Sequence, residues 1–100
     1  FKTISDKGTE VWHYYGSGEG KKLAQCIQNQ IVDALGTVDR GTKGAKPGVN
    51  GLYVLSNTDA VAVLVELAFI DHEGDAELLR SQQDEFARAI ARGVTDYEAL

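Results

Sequence analysis

Residues 63–70 read VLVELAFI, a run of core-type side chains broken by one carboxylate, Glu66. An unpaired carboxylate in apolar surroundings is costly, so Glu66 needs a partner, a metal or a chemical task. Two readings stand side by side on the sequence alone. In one, Glu66 is a strand-end carboxylate that turns to water or pairs with Arg40 or a lysine. In the other it is a general base in a partly dry cleft, its affinity for protons raised by burial. Other residue types able to do chemistry are few. His13 lies among aromatics in TEVWHYYG, where a packed imidazole is the ordinary outcome, and His72 lies in FIDHEGD, where a surface or capping role is ordinary. They do not form a close pair such as the H-E-x-x-H spacing that gives zinc two ligands from one helical face. Cys26 is the single cysteine, which excludes an internal disulfide and a cysteine-based zinc site. Beside Leu23 and Ile27 it reads as a small buried hydrophobe rather than a nucleophile.

These residues need elements to hold them. TEVWHYYG (Thr9 to Gly16) combines aromatic and β-branched residues between glycines and predicts a strand, with Val11, His13 and Tyr15 on one face and Glu10, Trp12 and Tyr14 on the other. From Ser17 the period becomes helical through Leu23, Ile27, Ile31 and Ala34, with Ser17 as N-cap and Gly36 as the stop. DRGTKGAKPGVNG (Asp39 to Gly51) holds four glycines and the only proline and predicts a loop bordering the cleft. Leu52 to Thr58 predicts a strand. Ala60 to Phe69 predicts a second one buried on both faces, because it is apolar without alternation. Two helical stretches follow, one containing Leu78 and Leu79, the other Phe86, Ile90 and Val94. The order points to an α/β domain whose sheet is covered by helices, with Glu66 near the C-terminal end of its strand, where such sheets place their sites.

One hundred residues make one domain or part of one, and the chain begins without Met, as a cut or processed piece would. Charged residues at 25% and hydrophobic ones at 43% fit an ordinary globular protein. No apolar segment reaches the length of a membrane span, and no signal-peptide pattern opens the chain. A formal net charge of −5 argues against nucleic acid, whose binding requires Lys and Arg to neutralise phosphates.

The segments GTEVWHYYG, GKKLAQCIQNQI, DRGTKG, LYVLSNTDAVAVLVELAFIDHEGDAELL and FARAIARGV, in that order, resemble the latter part of the zinc-dependent N-acetylmuramoyl-L-alanine amidases of the amidase-3 type, found in bacterial autolysins and phage endolysins. The resemblance covers almost the whole chain. It implies a mixed central sheet flanked by helices, with residues 1–100 as the C-terminal portion of a single catalytic domain. It also implies that Glu66, in the strand matching the family's LVE, is the catalytic glutamate; Arg40 is read either as a contact to the substrate or Glu66 or, more ordinarily, as a residue that pins its loop by hydrogen bonds. In the family, zinc is held by two histidines and a glutamate, and the last histidine stands shortly before the segment matching FKTISDKGTEV. The ligands are therefore expected upstream of Phe1, none in this chain, and the chain alone is expected to be inactive. The implied substrate is peptidoglycan, cut between N-acetylmuramic acid and L-alanine, at the cell wall or outside the cell. Zinc polarises the carbonyl and makes water more acidic. The chain departs from the family at Val61, where Pro is usual, and at His72, where Asn is usual. The rival expectation is a non-catalytic peptidoglycan-binding or regulatory module that keeps the scaffold.

Overall fold

A computed structural model describes residues 7–46, 55, 60–67 and 73–100. Its elements run β1 (Thr9–Tyr14), α1 (Gly18–Leu35), β2 (Asp39–Ala45), β3 (Val63–Glu66), α2 (Glu73–Ser81) and α3 (Gln83–Glu98). The described strands form one mixed sheet in the order β2-β1-β3, with β2 parallel and β3 antiparallel to β1. This is the expected α/β architecture, a mixed sheet with flanking helices.

The signals at the ends of α1 act as read. Ser17 Oγ accepts the Gly20 N–H at 2.8 Å, satisfying one of the four donors that a helix start leaves without a partner. Gly36 ends the helix in the left-handed region at φ 67°, and its N–H bonds Val32 O. At the other end of the helix, Tyr97 Oη on α3 donates to Glu19 Oε1 at 2.7 Å. That bond, with the Lys22 ammonium beside it, lowers the Glu19 carboxyl from its ordinary value, and the same bond to Glu19 raises the Tyr97 phenol.

The core is the seam between β1, α1 and α3. Val11, Ala24, Ile27, Ile31, Phe86 and Ala89 are buried together, and Val63 and Val65 of β3 and Leu67 just after it pack against them. The buried faces are narrower and smaller than the apolar pattern suggested. On α1 the inward residues are Gly20, Ala24, Ile27, Gln28 and Ile31, whereas Ala34 is exposed. On α3 they are Phe86, Ala89 and Gly93, and Val94 faces out. The small residues let the two helices approach closely. A Cβ built on Gly93 would lie 2.5 Å from Ile27 Cα and 2.9 Å from Ile27 N, so the helices would have to separate. In an open helix Gly→Ala gains about 1 kcal/mol. Here Gly93→Ala is expected to destabilise instead, by about 1–3 kcal/mol as overpacking does. Urea unfolding of the intact protein checks the sign.

Three expectations are corrected. Asp39 to Ala45 is a strand, not the start of a loop. Its glycine content misleads because the strand contains a bulge: Thr9 pairs Asp39 but Val11 pairs Thr42, so Arg40 and Gly41 together stand opposite Glu10. Gly41 supplies the required backbone at φ 77°, a region that side chains disfavour. Residues 47–51 of the expected loop lie outside the described residues. The expected strand Leu52 to Thr58 is described only at Leu55, which is helical and buried. The strand expected from Ala60 to Phe69 is ordered as a strand only over Val63–Glu66 and is half-buried rather than covered on both faces; Phe69 lies outside the described residues. It does alternate. Val63 and Val65 join the core, while Leu64 and Glu66 take the opposite face.

Candidate functional site

Glu66 ends β3 directly opposite Glu10 on β1. Residues facing each other across an antiparallel pair share one face of the sheet, with Cβ atoms about 5 Å apart. The two carboxylates therefore lie together on the face turned away from the α1 seam. Like charges facing each other across a sheet repel. A cation is needed, and Arg40 supplies it: its Nε donates to Glu10 Oε1 at 3.1 Å. Glu10 Oε2 accepts the Trp12 indole N–H at 2.6 Å. Both Glu10 oxygens are thus engaged in a side chain only 6% exposed, which fixes the carboxylate in place. Glu66 Oε1 is shielded from solvent, in the half-dry setting that general-base chemistry uses.

The surroundings are fixed by buried polar bonds. Thr9 Oγ1 donates to Leu67 O at 2.5 Å and meets Thr37 Oγ1 at 2.6 Å, holding the backbone just beyond Glu66. Asp75, buried at the start of α2, accepts the Gly8 N–H at 2.7 Å and ties that helix to the entry of β1. Because β3 runs antiparallel, the C-terminal end that carries Glu66 sits at the N-terminal ends of β1 and β2, the reverse of the usual position for a parallel sheet.

The other residues singled out in the sequence lie apart from Glu66. His13 is buried on the α1 face of β1, three residues from Glu10, or about 10 Å along the strand. Its Nδ1 lies 3.0 Å from Tyr14 O. Cys26 is half-buried on α1, and His72 lies outside the described residues. A cleft of about 320 Å³ lined by Tyr14, Ser17, Glu19, Leu55 and Val61 sits at the far end of β1 from Glu66. Among the described residues no three His, Cys, Asp or Glu side chains converge as metal ligands, so these residues do not themselves fit a zinc site. No helix among them is long and apolar enough to cross a membrane. Sequence reasoning missed Glu10 as part of this site. Its face was readable from the alternation of TEVWHY, but its register against Glu66 was not.

Fold and site together define an α/β domain of mixed sheet with an acidic strand end on the face away from α1. The chain belongs to the family described as Amidase_3, N-acetylmuramoyl-L-alanine amidase, which residues 2–96 match. It is 36% identical over 97 residues to the protein YqiI of Bacillus subtilis (strain 168), covering 93% of this chain and 45% of that one. It is also 36% identical over 97 residues to N-acetylmuramoyl-L-alanine amidase LytC of the same strain, covering 93% of this chain and 18% of LytC. The structure of the N-acetylmuramoyl-L-alanine amidase from Clostridium difficile 630 superposes with a TM-score of 0.82 at 28% identity, over 95% of this chain and 50% of that one. The chain thus spans half or less of the length of these relatives.

Proposed function

We propose that this chain is the C-terminal portion of an amidase catalytic domain, and that the whole protein hydrolyses the amide joining N-acetylmuramic acid to the L-alanine of the peptidoglycan stem peptide. The observation that supports this most is the pairing of Glu66 with Glu10. Of two adjacent carboxylates, one is held by Arg40 and Trp12, and the other ends its strand with a shielded oxygen. Glu66 accepts a proton from the water that adds to the amide carbonyl, then gives it to the departing nitrogen as the C–N bond breaks. The products are a carboxylate on the muramic acid side and a new amine on L-alanine. Arg40, one-third exposed and bonded to Glu10, contacts the substrate. Zinc belongs to side chains outside this chain. The setting is the cell wall, reached by secretion or, for a phage enzyme, from within the host.

The test is to digest purified peptidoglycan with the intact protein and label new amino termini. Release of N-terminal L-alanine without new sugar reducing ends is expected. Binding to the wall with no release would contradict the reading and favour a module that keeps only the scaffold.

A further inference from the structure

We infer that Glu10 is the positioning residue of this site, an anchoring anion that fixes the Arg40 guanidinium in the plane from which it meets the substrate; the inference rests on the amidase reading above. A guanidinium carries five N–H donors in one rigid plane. Tying Nε to a carboxylate that is itself held sets the orientation of the whole fork. Glu10 meets that requirement, since Trp12 Nε1 locks its second oxygen and burial removes competing water. A surface glutamate would not do this, because exposed ion pairs hold geometry weakly.

The backbone beneath Arg40 is built for the same purpose. Arg40 stands in the bulge opposite Glu10, and bulges re-aim side chains next to sites. Asp39 Oδ1 accepts the Gly41 N–H at 2.8 Å and so stabilises the bulge. Gln28, fully buried on α1, donates Nε2 to that same Asp39 oxygen at 2.8 Å and to Thr9 O at 2.8 Å. One helix side chain therefore bridges the starts of both strands. Lys43 Nζ also donates to the Arg40 carbonyl. A solvent-facing arginine in an ordinary strand would need none of this bracing.

The experiment is a cycle in the intact protein on a defined muropeptide, comparing kcat and KM for Glu10→Gln, Arg40→Lys, the double variant and Glu66→Gln, each assayed well below its own melting midpoint. Glu10→Gln and Arg40→Lys are each expected to lower kcat/KM by roughly 10-fold, and the double variant by about the same factor, because both remove one coupled contact. A double variant slower by about 100-fold, the product of independent effects, would overturn the inference. So would a Glu10→Gln protein that melts lower yet keeps parental kcat/KM, since that is the behaviour of a purely structural pair. Glu66→Gln reports separately: normal turnover there removes the amidase reading of Glu66, whereas loss of turnover with independent Glu10 and Arg40 effects removes only the role of Glu10.

Discussion

Replacing Phe86 with alanine is expected to cost about 3–5 kcal/mol of stability, the range for removing a buried aromatic side chain. Phe86 is 1% exposed and joins Val11 of β1 with Ala24, Ile27 and Ile31 of α1 and Ala89 of its own helix. Its neighbours give little scope for collapse into the vacated space. Ala24 and Ala89 have no side chain to extend, and the Gly93–Ile27 approach already brings the helices together. The cost should therefore fall at the upper end of the range, since cavity terms grow with the volume left open. Because α1 and β1 brace the backbone beside Glu66, loss of this seam should loosen the site as well. Equilibrium urea unfolding of the intact protein gives the number. A cost below about 1 kcal/mol would mean that Phe86 is not the centre of the core.

How much of this was legible in the sequence depends on the kind of signal. The caps of α1 were readable because Ser17 and Gly36 act through local backbone chemistry that needs no tertiary context. The helix faces were only half readable. Apolar periodicity finds large side chains, and this seam is built on Ala24, Ala89 and Gly93, whose contribution is their small size. The glycines of DRGTKGA suggested a loop because one of them serves a bulge inside a strand, and only the pairing with β1 makes that visible. Glu66 was readable as an anomaly in an apolar run. Its pairing with Glu10 depends on antiparallel register, and one residue of slip would have put the two carboxylates on opposite faces. Arg40 was readable as a partner for a carboxylate of this sheet, but its bond to Glu10 depends on the bulged register of β2 against β1, which local sequence does not carry.

The second large effect concerns Glu66. Gln keeps the shape of the side chain but cannot accept the proton, so Glu66→Gln in the intact protein should lower amide hydrolysis by roughly 10²-fold or more, the usual scale for losing a general base. The register adds a second expectation that a structural carboxylate would not meet. Like charges directly opposite on a sheet destabilise it, so neutralising Glu66 should leave stability unchanged or raise it, whereas Glu10 is anchored by Arg40 and Trp12. Activity and stability are thus expected to move in different directions. For a carboxylate whose task is packing or pairing, removal of the charge would lower the melting temperature and leave turnover within a few-fold of the parent.

The most direct measurement is therefore the single-turnover rate of cleavage of the N-acetylmuramoyl-L-alanine bond by intact parent and Glu66→Gln proteins at matched zinc content. A rate lower by roughly 10²-fold or more, with a melting temperature equal to or above the parent's, is the result predicted for a base at the end of β3. A Glu66→Gln protein that cleaves at near-parental rate would contradict the account.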